Sequence, residues 1–405
     1  MPLKLGVDVL LDDRLELVRG RRVGLITNPT GIDAGLRSTI DRLRTHRDVD
    51  LVALFGPEHG VRGDAQAGEY VPSHRDERLG LPVHSLYGPG MEMPPDRLDG
   101  IDERMRSFDT QASGKTVDPG TLSGIDVLLY DLQDVGTRVY TYVATMAYAL
   151  AAAAARGIPF VVLDRPNPLG GTTEGPVLEY PRYSSFIGLY PIPLRHGMTV
   201  GELARLFNAR FIEPRAELVV VPMDDWCRAD WFDDTGLPWV PPSPNLPTLD
   251  AAVVYPGQVI LEGTNLSEGR GTTKPFELFG AAWIDGHDLA RELGTLGLPG
   301  VRFREAWFTP TFSKFAGRRC GGCQLHVFDR RAYRPVATTL AILETIRRLH
   351  GPTLELHDAY FDHVMGTSAV REALVGGQPW RRIVAGWEAG LADFASLAAA
   401  VRLYD

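Results

Sequence analysis

A carboxyl group and an imidazole stand side by side in the segment Gly56-Pro57-Glu58-His59-Gly60. The segment follows an apolar run, residues 51–55, whose length and composition are typical of a buried strand. Loops at the carboxyl end of a parallel sheet are where α/β proteins place their chemistry. A glutamate there is either an acid/base group or an ordinary turn residue, and its polar neighbours bear on that choice.

Polar residues also follow two further predicted strands. The three groups are Glu58, His59 and Arg62 after the second strand; Asp131, Gln133, Asp134, Thr137 and Arg138 after the fourth; and Asp164, Arg165, Asn167 and Glu174 after the fifth. A parallel sheet brings the three loops to one edge, so we expect these side chains to converge. Carboxylates, amides and arginines suit carbohydrate work, where two carboxyl groups flank a scissile glycosidic bond.

A second concentration of functional groups lies in residues 261–277. Glycines and small residues interrupt this stretch and exclude a regular helix. It carries the carboxylates Glu262, Glu268 and Glu277, the amide Asn265, and the cations Arg270 and Lys274. The segment is either a solvated surface loop or a binding loop over the sheet edge, and its density of functional groups favours the second.

Several other chemistries lack their sequence motifs. No G-x-G-x-x-G follows the first predicted strand, and no G-x-x-x-x-G-K-[ST], H-E-x-x-H or G-x-S-x-G occurs in the chain. A nucleotide enzyme, a zinc protease and an ordinary serine hydrolase are therefore disfavoured, and we expect neither a cofactor nor a metal. The net charge of -9, without a basic stripe, also disfavours a nucleic-acid partner.

Cysteine usage and hydropathy bear on the compartment. The three cysteines, Cys227, Cys320 and Cys323, do not form a disulfide framework, and we expect the lone C-x-x-C to be structural or incidental. No apolar stretch approaches the roughly 20 residues of a membrane span. The first residues lack the pattern of a signal peptide. As it stands, the sequence predicts a cytoplasmic protein, or a periplasmic or secreted one if a signal had been removed.

The predicted elements place these residues. Apolar runs at 22–27, 51–55, 83–87, 127–130 and 160–163 are expected to be strands of a parallel sheet covered on both faces. The clearest helix is 141–156, with Thr141 as its cap and Gly157 at its end, so residues 127–163 form a βαβ unit. A helix at 200–208 and a strand at 218–221 follow.

A chain of 405 residues predicts two domains, with a boundary near Cys227. The proline-rich stretch 237–247 is either a linker or a rigid wall of a cleft. The second half has an α+β pattern: a strand at 324–328, a helix at 336–349 and an alanine-rich C-terminal helix.

At these motifs the chain resembles the NamZ-type exo-β-N-acetylmuramidases, a bacterial glycoside hydrolase family. The matching segments, in order over nearly the whole chain, are 23–31, 56–60, 130–138, 164–168, 174–176, 195–199 and 262–277. The resemblance implies a Rossmann-like catalytic domain (1–227), a smaller α+β domain (228–405) and a cleft between them. It also implies release of N-acetylmuramic acid from the non-reducing ends of peptidoglycan fragments, and a catalytic Glu58.

The chemistry of this sugar suits the residues. A lactyl carboxylate needs a cation, for which Arg62, Arg138, Arg195 and Arg270 are candidates. The acetamido and hydroxyl groups suit Gln133, Asp134, Asn167 and Asn265, and the sugar's apolar face suits Tyr140, Tyr142 and Trp239. The predicted substrate-binding set also includes His59, Asp164, His196 and Glu268.

Our mechanistic hypothesis makes Glu58 the general acid and His59 an orienting group. A second carboxylate acts as nucleophile, as base or as support for the substrate's own acetamido group; Asp131 is the first candidate, followed by Glu174 and Glu262. Two other functions stay open: a non-catalytic muropeptide-binding protein, and an esterase or amidase of the cell wall.

Overall fold

Six parallel strands and one antiparallel edge strand form the central sheet, in a computed structural model that describes residues 3–86 and 119–405. The strands are β1 (Arg22–Thr27), β2 (Asp50–Gly56), β3 (His74–Arg75), β4 (Pro82–Ser85), β5 (Val127–Asp131), β6 (Phe160–Leu163), β7 (Glu174–Val177), β8 (Pro193–Arg195), β9 (Leu218–Val221), β10 (Leu278–Ala281), β11 (Val301–Phe308) and β12 (Cys320–Val327). The central order is β3-β4-β2-β1-β5-β6-β9, with β3 antiparallel to β4. The six parallel strands, counted along the chain, run 3-2-1-4-5-6, which is the Rossmann order and confirms the predicted fold.

The predicted strands of the first half are all present. The predictions 22–27, 160–163 and 218–221 match β1, β6 and β9, and β2 and β5 extend slightly beyond their predicted bounds. The prediction 83–87 overlaps β4, but its last residue, Tyr87, lies outside the described residues. β5 and β6 pair in parallel, and the helix Tyr142–Arg156 connects them, as expected for a βαβ unit.

Helices cover both faces of this sheet, which explains why its strands are apolar throughout. On one face, Leu25 and Leu129 pack in a cluster with Leu10 of the first helix. On the other face, Tyr130 belongs to a second cluster with Met146.

Side chains of Ser38, Thr199, Thr248 and Asp285 cap the starts of four helices. The bounds of the helices are Gly6–Asp13, Thr39–Thr45, Tyr142–Arg156, Val200–Arg210, Leu249–Gln258, Gly286–Thr295, Pro335–His350, Asp358–Met365, Ala369–Val375, Trp380–Ala385 and Glu388–Ala399. Gly157 ends the helix Tyr142–Arg156 in the left-handed conformation, with a φ of 64°. The prediction that Thr141 caps this helix is wrong, because the Thr141 side chain makes no capping hydrogen bond. No helix within residues 3–86 and 119–405 is long and apolar enough to cross a membrane.

The second half has the expected α+β character. Its antiparallel sheet has the order β10-β12-β11, and β12 contains most of the predicted strand 324–328. The predicted helix 336–349 corresponds to Pro335–His350. Cys320 and Cys323 are buried on β12 and form no disulfide bond. Burial raises the pKa of the Cys320 thiol to about 11 and that of the Cys323 thiol to about 12.

The two halves share one apolar core. The cluster that contains Tyr130 continues through Val254 in the helix Leu249–Gln258 to Leu340 in the helix Pro335–His350. Because the core is continuous, groups from both halves are held at defined positions around the sheet edge. The boundary near Cys227 stays a prediction.

Candidate active site

The segment Gly56–Gly60 forms a tight turn at the carboxyl end of β2. The backbone N–H of Gly60 donates to the Pro57 carbonyl at 2.9 Å, and His59 adopts a left-handed conformation with a φ of 71°. The His59 Nδ1 lies 2.8 Å from the Ala65 carbonyl, to which it donates. Such a conformation is uncommon for a residue other than glycine, so the turn is held by its surroundings.

Glu58 projects from this turn and is half-buried. Its Oε1 accepts a hydrogen bond from the Gly68 backbone N–H at 3.1 Å, and its Oε2 accepts one from the Thr141 hydroxyl at 2.6 Å. Both donors are uncharged. The side chain lines a cleft of about 280 Å³, whose other lining residues are Pro57, His59, Gly68, Glu69, Tyr70, Val71 and Ser85.

The Thr141 hydroxyl therefore has a different task from the predicted cap. It joins the loop after β5 to the turn after β2 and orients the Glu58 carboxylate. Local helix signals do not contain this information, because the partner lies 83 residues away in the sequence.

The loops after β5 and β6 meet at the carboxyl edge of the sheet, as the sequence predicts. Arg165 donates to both Asp131 oxygens, at 2.5 and 3.0 Å, and the Thr39 hydroxyl donates to Asp131 Oδ2 at 2.5 Å. The Gln133 amide donates to the Pro166 carbonyl at 2.7 Å. Asp131 is fully buried, so its carboxylate stabilises the contact between these two loops.

Glu174, another candidate for the second carboxylate, lies between the two halves. Its Oε1 accepts from the Ala337 backbone N–H at 2.8 Å, at the start of the helix Pro335–His350. Burial raises the pKa of Glu174 to about 7. This carboxyl group thus stabilises a helix terminus.

Glu262, the third candidate, belongs to a group of ion pairs in the second half. Its Oε1 accepts from Arg270 Nη2 at 2.7 Å, and its Oε2 accepts from the Tyr360 hydroxyl at 2.8 Å. Glu268 lies 3.4 Å from Arg270 and 3.2 Å from Lys314. We call Glu262, Glu268, Arg270 and Lys314 the ion-pair network. Burial lowers the pKa of Arg270, but the two carboxylates outweigh this effect and raise it above its ordinary value.

The four candidate arginines differ in exposure. Arg138 is buried and donates to the carbonyls of Pro176, Ile192 and Val364, and burial lowers its pKa to about 9. Arg195 is also buried, and burial lowers its pKa to about 10. Arg270 is held in the ion-pair network. Half of the Arg62 side chain is exposed, close to the Glu58 turn, and it pairs with Asp76.

Other predicted binding residues stabilise loops. Asn167 donates to the Met198 carbonyl at 2.9 Å, and Asn265 donates to the Thr353 carbonyl at 2.8 Å. Asp164 accepts from the Tyr404 hydroxyl at 2.7 Å, and burial raises the pKa of Asp164 to about 6. Within the described ranges, no group of three or more His, Cys, Asp or Glu side chains has an arrangement that could hold a metal ion.

Asp134 and His196 form a buried pair next to Gly136. Asp134 Oδ2 accepts from the Gly136 backbone N–H at 2.8 Å and lies 3.1 Å from His196 Nε2. Gly136 has a φ of 74°, and a side chain there would approach Asn167 Oδ1 to 2.5 Å. Only glycine suits this conformation and this space. The other Asp134 oxygen, Oδ1, is buried without a hydrogen-bond partner in the described residues.

A row of aromatic rings connects the two halves at this level. We call Tyr142, Tyr140, Tyr255 and Phe276 the aromatic ladder; successive ring centroids are 4.7, 6.0 and 4.8 Å apart. Arg270 lies over the Phe276 ring, 5.0 Å from its centroid. Tyr255, Tyr360 and Lys314 are not among the predicted site residues, and the apolar sequence around Tyr255 predicts only a core residue.

The proline-rich segment is a wall, which decides between the two alternatives left by the sequence. The Pro242 carbonyl accepts from the Tyr142 hydroxyl at 2.5 Å and from the Asn28 amide at 3.4 Å. Asn245 donates to Gln66 at 3.1 Å, close to the Glu58 cleft, and Trp239 donates to the Leu246 carbonyl at 3.2 Å.

A second depression, of about 300 Å³, lies at the other end of this wall, beside Pro238 and Val240. Its charged groups already have partners: Arg165 is paired with Asp131, and Asp33 is paired with Arg37 at 2.8 Å. The Glu58 cleft is therefore the better candidate for chemistry.

Comparisons with known proteins identify the family of this chain. The family model described as exo-beta-N-acetylmuramidase NamZ, N-terminal, matches residues 23–115 and 105–250, and its C-terminal counterpart matches residues 253–404. The chain is 50% identical over 391 residues to the peptidoglycan beta-N-acetylmuramidase NamZ of Bacillus subtilis (strain 168), covering 96% of this chain and 88% of that protein.

Two solved structures from Bacteroides fragilis NCTC 9343 are similar over 100% of this chain and 99% of theirs. Both are DUF1343 family proteins: BF0371, with a TM-score of 0.87 and 36% identity, and BF0379, with a TM-score of 0.76 and 26% identity. The motifs, the fold and these matches together show that the chain belongs to the NamZ family of exo-β-N-acetylmuramidases.

Proposed function

We propose that this protein is an exo-acting glycoside hydrolase that releases N-acetylmuramic acid from the non-reducing ends of peptidoglycan fragments. The 50% identity to a peptidoglycan beta-N-acetylmuramidase supports the activity and the substrate class. The structural observation that carries the proposal is Glu58, a carboxyl group in an open cleft held by two uncharged donors.

Glu58 acts as the general acid. It donates a proton to the glycosidic oxygen as the bond from that oxygen to C1 breaks. The Thr141 hydroxyl and the Gly68 amide orient the carboxyl group without binding it in an ion pair. A positioned acid of this kind contributes roughly 10²- to 10⁴-fold to the rate.

Arg62 binds the lactyl carboxylate that distinguishes N-acetylmuramic acid from N-acetylglucosamine. Among the four candidate arginines it keeps half of its side chain exposed although its Nη2 pairs with Asp76, and it lies four residues from Glu58. Arg138 and Arg195 are buried, and Arg270 is held by Glu262 and Glu268.

The decisive experiment measures release of free N-acetylmuramic acid from the disaccharide N-acetylmuramyl-β-1,4-N-acetylglucosamine. We expect release by the wild-type protein and a loss of roughly 10²- to 10⁴-fold in Glu58→Gln, with normal folding by circular dichroism. Binding of the disaccharide without any release contradicts hydrolysis and indicates a binding protein. Products of ester or amide cleavage without free sugar indicate the other alternative.

The lactyl assignment is tested by Arg62→Ala on paired substrates with N-acetylmuramic acid or N-acetylglucosamine at the non-reducing end. We expect kcat/KM for the muramic acid substrate to fall by roughly 10- to 100-fold, because a charge-assisted hydrogen bond is lost. The exposed Arg37→Ala serves as the control. Equal losses on both substrates contradict the assignment.

A further inference from the structure

Asp134 presents a buried acceptor that nothing in the described residues satisfies. The side chain is 4% exposed, and its Oδ1 has no hydrogen-bond partner. A buried acceptor without a partner lowers stability, and a donor supplied by a ligand would relieve this cost.

The surroundings of Asp134 fix the direction of this acceptor. The Met198 backbone N–H donates to His196 Nδ1 at 3.2 Å, so the ring proton lies on Nε2. That proton points to Asp134 Oδ2, 3.1 Å away, which also accepts from Gly136. Both donors bind the same carboxylate oxygen and leave Oδ1 for an incoming N–H.

Tyr255 supplies a hydroxyl on the ring next to Tyr140. Its ring is the third member of the aromatic ladder, next to Tyr140 of the loop that contains Asp134. Burial raises the pKa of Tyr255 well above its ordinary value, and the charges of Glu262, Glu58 and Asp134 act in the same direction. The side chain therefore remains a phenol, which can donate a hydrogen bond.

The carboxylates predicted as a second catalytic group are engaged elsewhere. Asp131 is enclosed by Arg165 and Thr39, and Glu262 is bound by Arg270 and Tyr360. Glu174 has one unpartnered oxygen, but it caps the helix Pro335–His350, and the charges that act on it belong to Arg195 and Arg334. An acetamido sugar carries its own alternative, because its carbonyl oxygen can attack C1.

We propose that Asp134 and Tyr255 bind the 2-acetamido group of the sugar, and that the carbonyl oxygen of this group, rather than an enzyme carboxylate, attacks C1. This inference rests on the proposed function. The acetamido N–H donates to Asp134 Oδ1, and the Tyr255 hydroxyl donates to the carbonyl oxygen and orients it.

The proposed reaction has two successive displacements at C1. The acetamido oxygen forms a bond to C1 while the bond from C1 to the glycosidic oxygen breaks, and the Glu58 proton passes to the leaving oxygen. Water then attacks C1 of the cyclic oxazolinium ion, its proton returns to Glu58, and the acetamido group is restored. Two displacements at C1 retain the configuration, so the product is the β-anomer.

The first test is the anomer released from N-acetylmuramyl-β-1,4-N-acetylglucosamine by the wild-type protein, followed by proton NMR before mutarotation. We expect the β-anomer, and initial release of the α-anomer overturns the inference. A muramic-acid thiazoline, which mimics the cyclic ion, is expected to inhibit competitively. Absence of inhibition at millimolar concentration also overturns it.

Substitutions test the proposed roles of Asp134 and Tyr255. Asp134→Asn replaces one acceptor by a donor, and we expect kcat to fall by roughly 10²- to 10³-fold. Tyr255→Phe removes only the hydroxyl, and we expect a loss of about tenfold in kcat. Tyr148→Phe, which removes a buried unpartnered hydroxyl on the helix Tyr142–Arg156, is the matched control and is expected to be unchanged.

The outcomes separate this inference from the proposed function. If the wild-type protein releases no N-acetylmuramic acid, the proposed function fails. If it releases the sugar but both variants keep wild-type kcat, only the acetamido assignment fails. Should Asp134→Asn not fold, Tyr255→Phe and the anomer of the wild-type product still decide.

Discussion

In the first half of the chain, Glu58 is held by a hydroxyl and a backbone amide, whereas in the second half Glu262 and Glu268 are held by Arg270 and Lys314. All three carboxyl groups are at least partly buried, but only the second pair has cations beside it. A guanidinium group stabilises a carboxylate as an anion. An ionised carboxylate suits a structural ion pair, but it cannot donate a proton. The comparison favours Glu58 over Glu262 and Glu268 as the proposed acid, because the two donors that hold Glu58 are uncharged.

The largest expected effect is a loss of stability when the ion-pair network is broken. Arg270→Met leaves Glu262 with the Tyr360 hydroxyl and Glu268 with Lys314, and we expect the free energy of unfolding to fall by about 3–5 kcal/mol. Urea denaturation measures this change, with Glu58→Gln as the matched carboxyl-site variant, expected within ~1 kcal/mol of wild type. A loss below ~1 kcal/mol in Arg270→Met contradicts the structural role of the network.

The next effect concerns Glu174, a buried carboxyl group held by a backbone amide. Its pKa is raised by burial from 4.5 to about 7, so its contribution to stability is fully present below pH 4.5 and is lost as the pH rises towards 7. Glu174→Gln mimics the protonated form. We therefore expect the variant to match wild type near pH 4.5 and to exceed it by roughly 3 kcal/mol at pH 8.

Chemical unfolding at several pH values, compared between Glu174→Gln and wild type, removes the contribution of the other titrating groups. A difference that does not change between pH 4.5 and 8 contradicts the raised pKa.

The smallest expected effect is on kcat, and it tests whether Thr141 orients Glu58. Thr141→Val removes the hydroxyl that orients Glu58, and we expect kcat to fall by about tenfold with little change in KM. Steady-state kinetics on the disaccharide measure both constants. Thr345→Val, whose hydroxyl bonds the Ala341 carbonyl, is the control. An unchanged kcat shows that Thr141 does not position the acid.

The strand positions could be predicted from the sequence because they depend on local composition. The runs that form β1, β6 and β9 are apolar and short, and Gly157 and Pro159 mark where a helix must end. The convergence of the loops near Glu58 followed from the topology of a parallel sheet.

The partners of individual side chains could not be predicted in this way. Arg270 is exposed or paired depending on where residues 262, 268 and 314 lie in space, and only the folded chain determines this. The same holds for Thr141, whose local role as a cap was displaced by a distant carboxylate. Tyr255 lies in an apolar run, so its sequence context indicates a core position rather than a contact with substrate.

Pro242 shows how a common fold is turned to a different ligand. Its carbonyl is hydrogen-bonded to Asn28, the residue directly after β1, beside the switch between β1 and β5 where Rossmann proteins receive a nucleotide. A depression of about 300 Å³ remains beside this switch, lined by Thr30, Gln133 and Pro238, and the Glu58 cleft lies at the end of the neighbouring strand, β2. The proposed sugar site thus lies one strand away from the usual cofactor position of a Rossmann sheet, and this change of ligand needs no change in strand order.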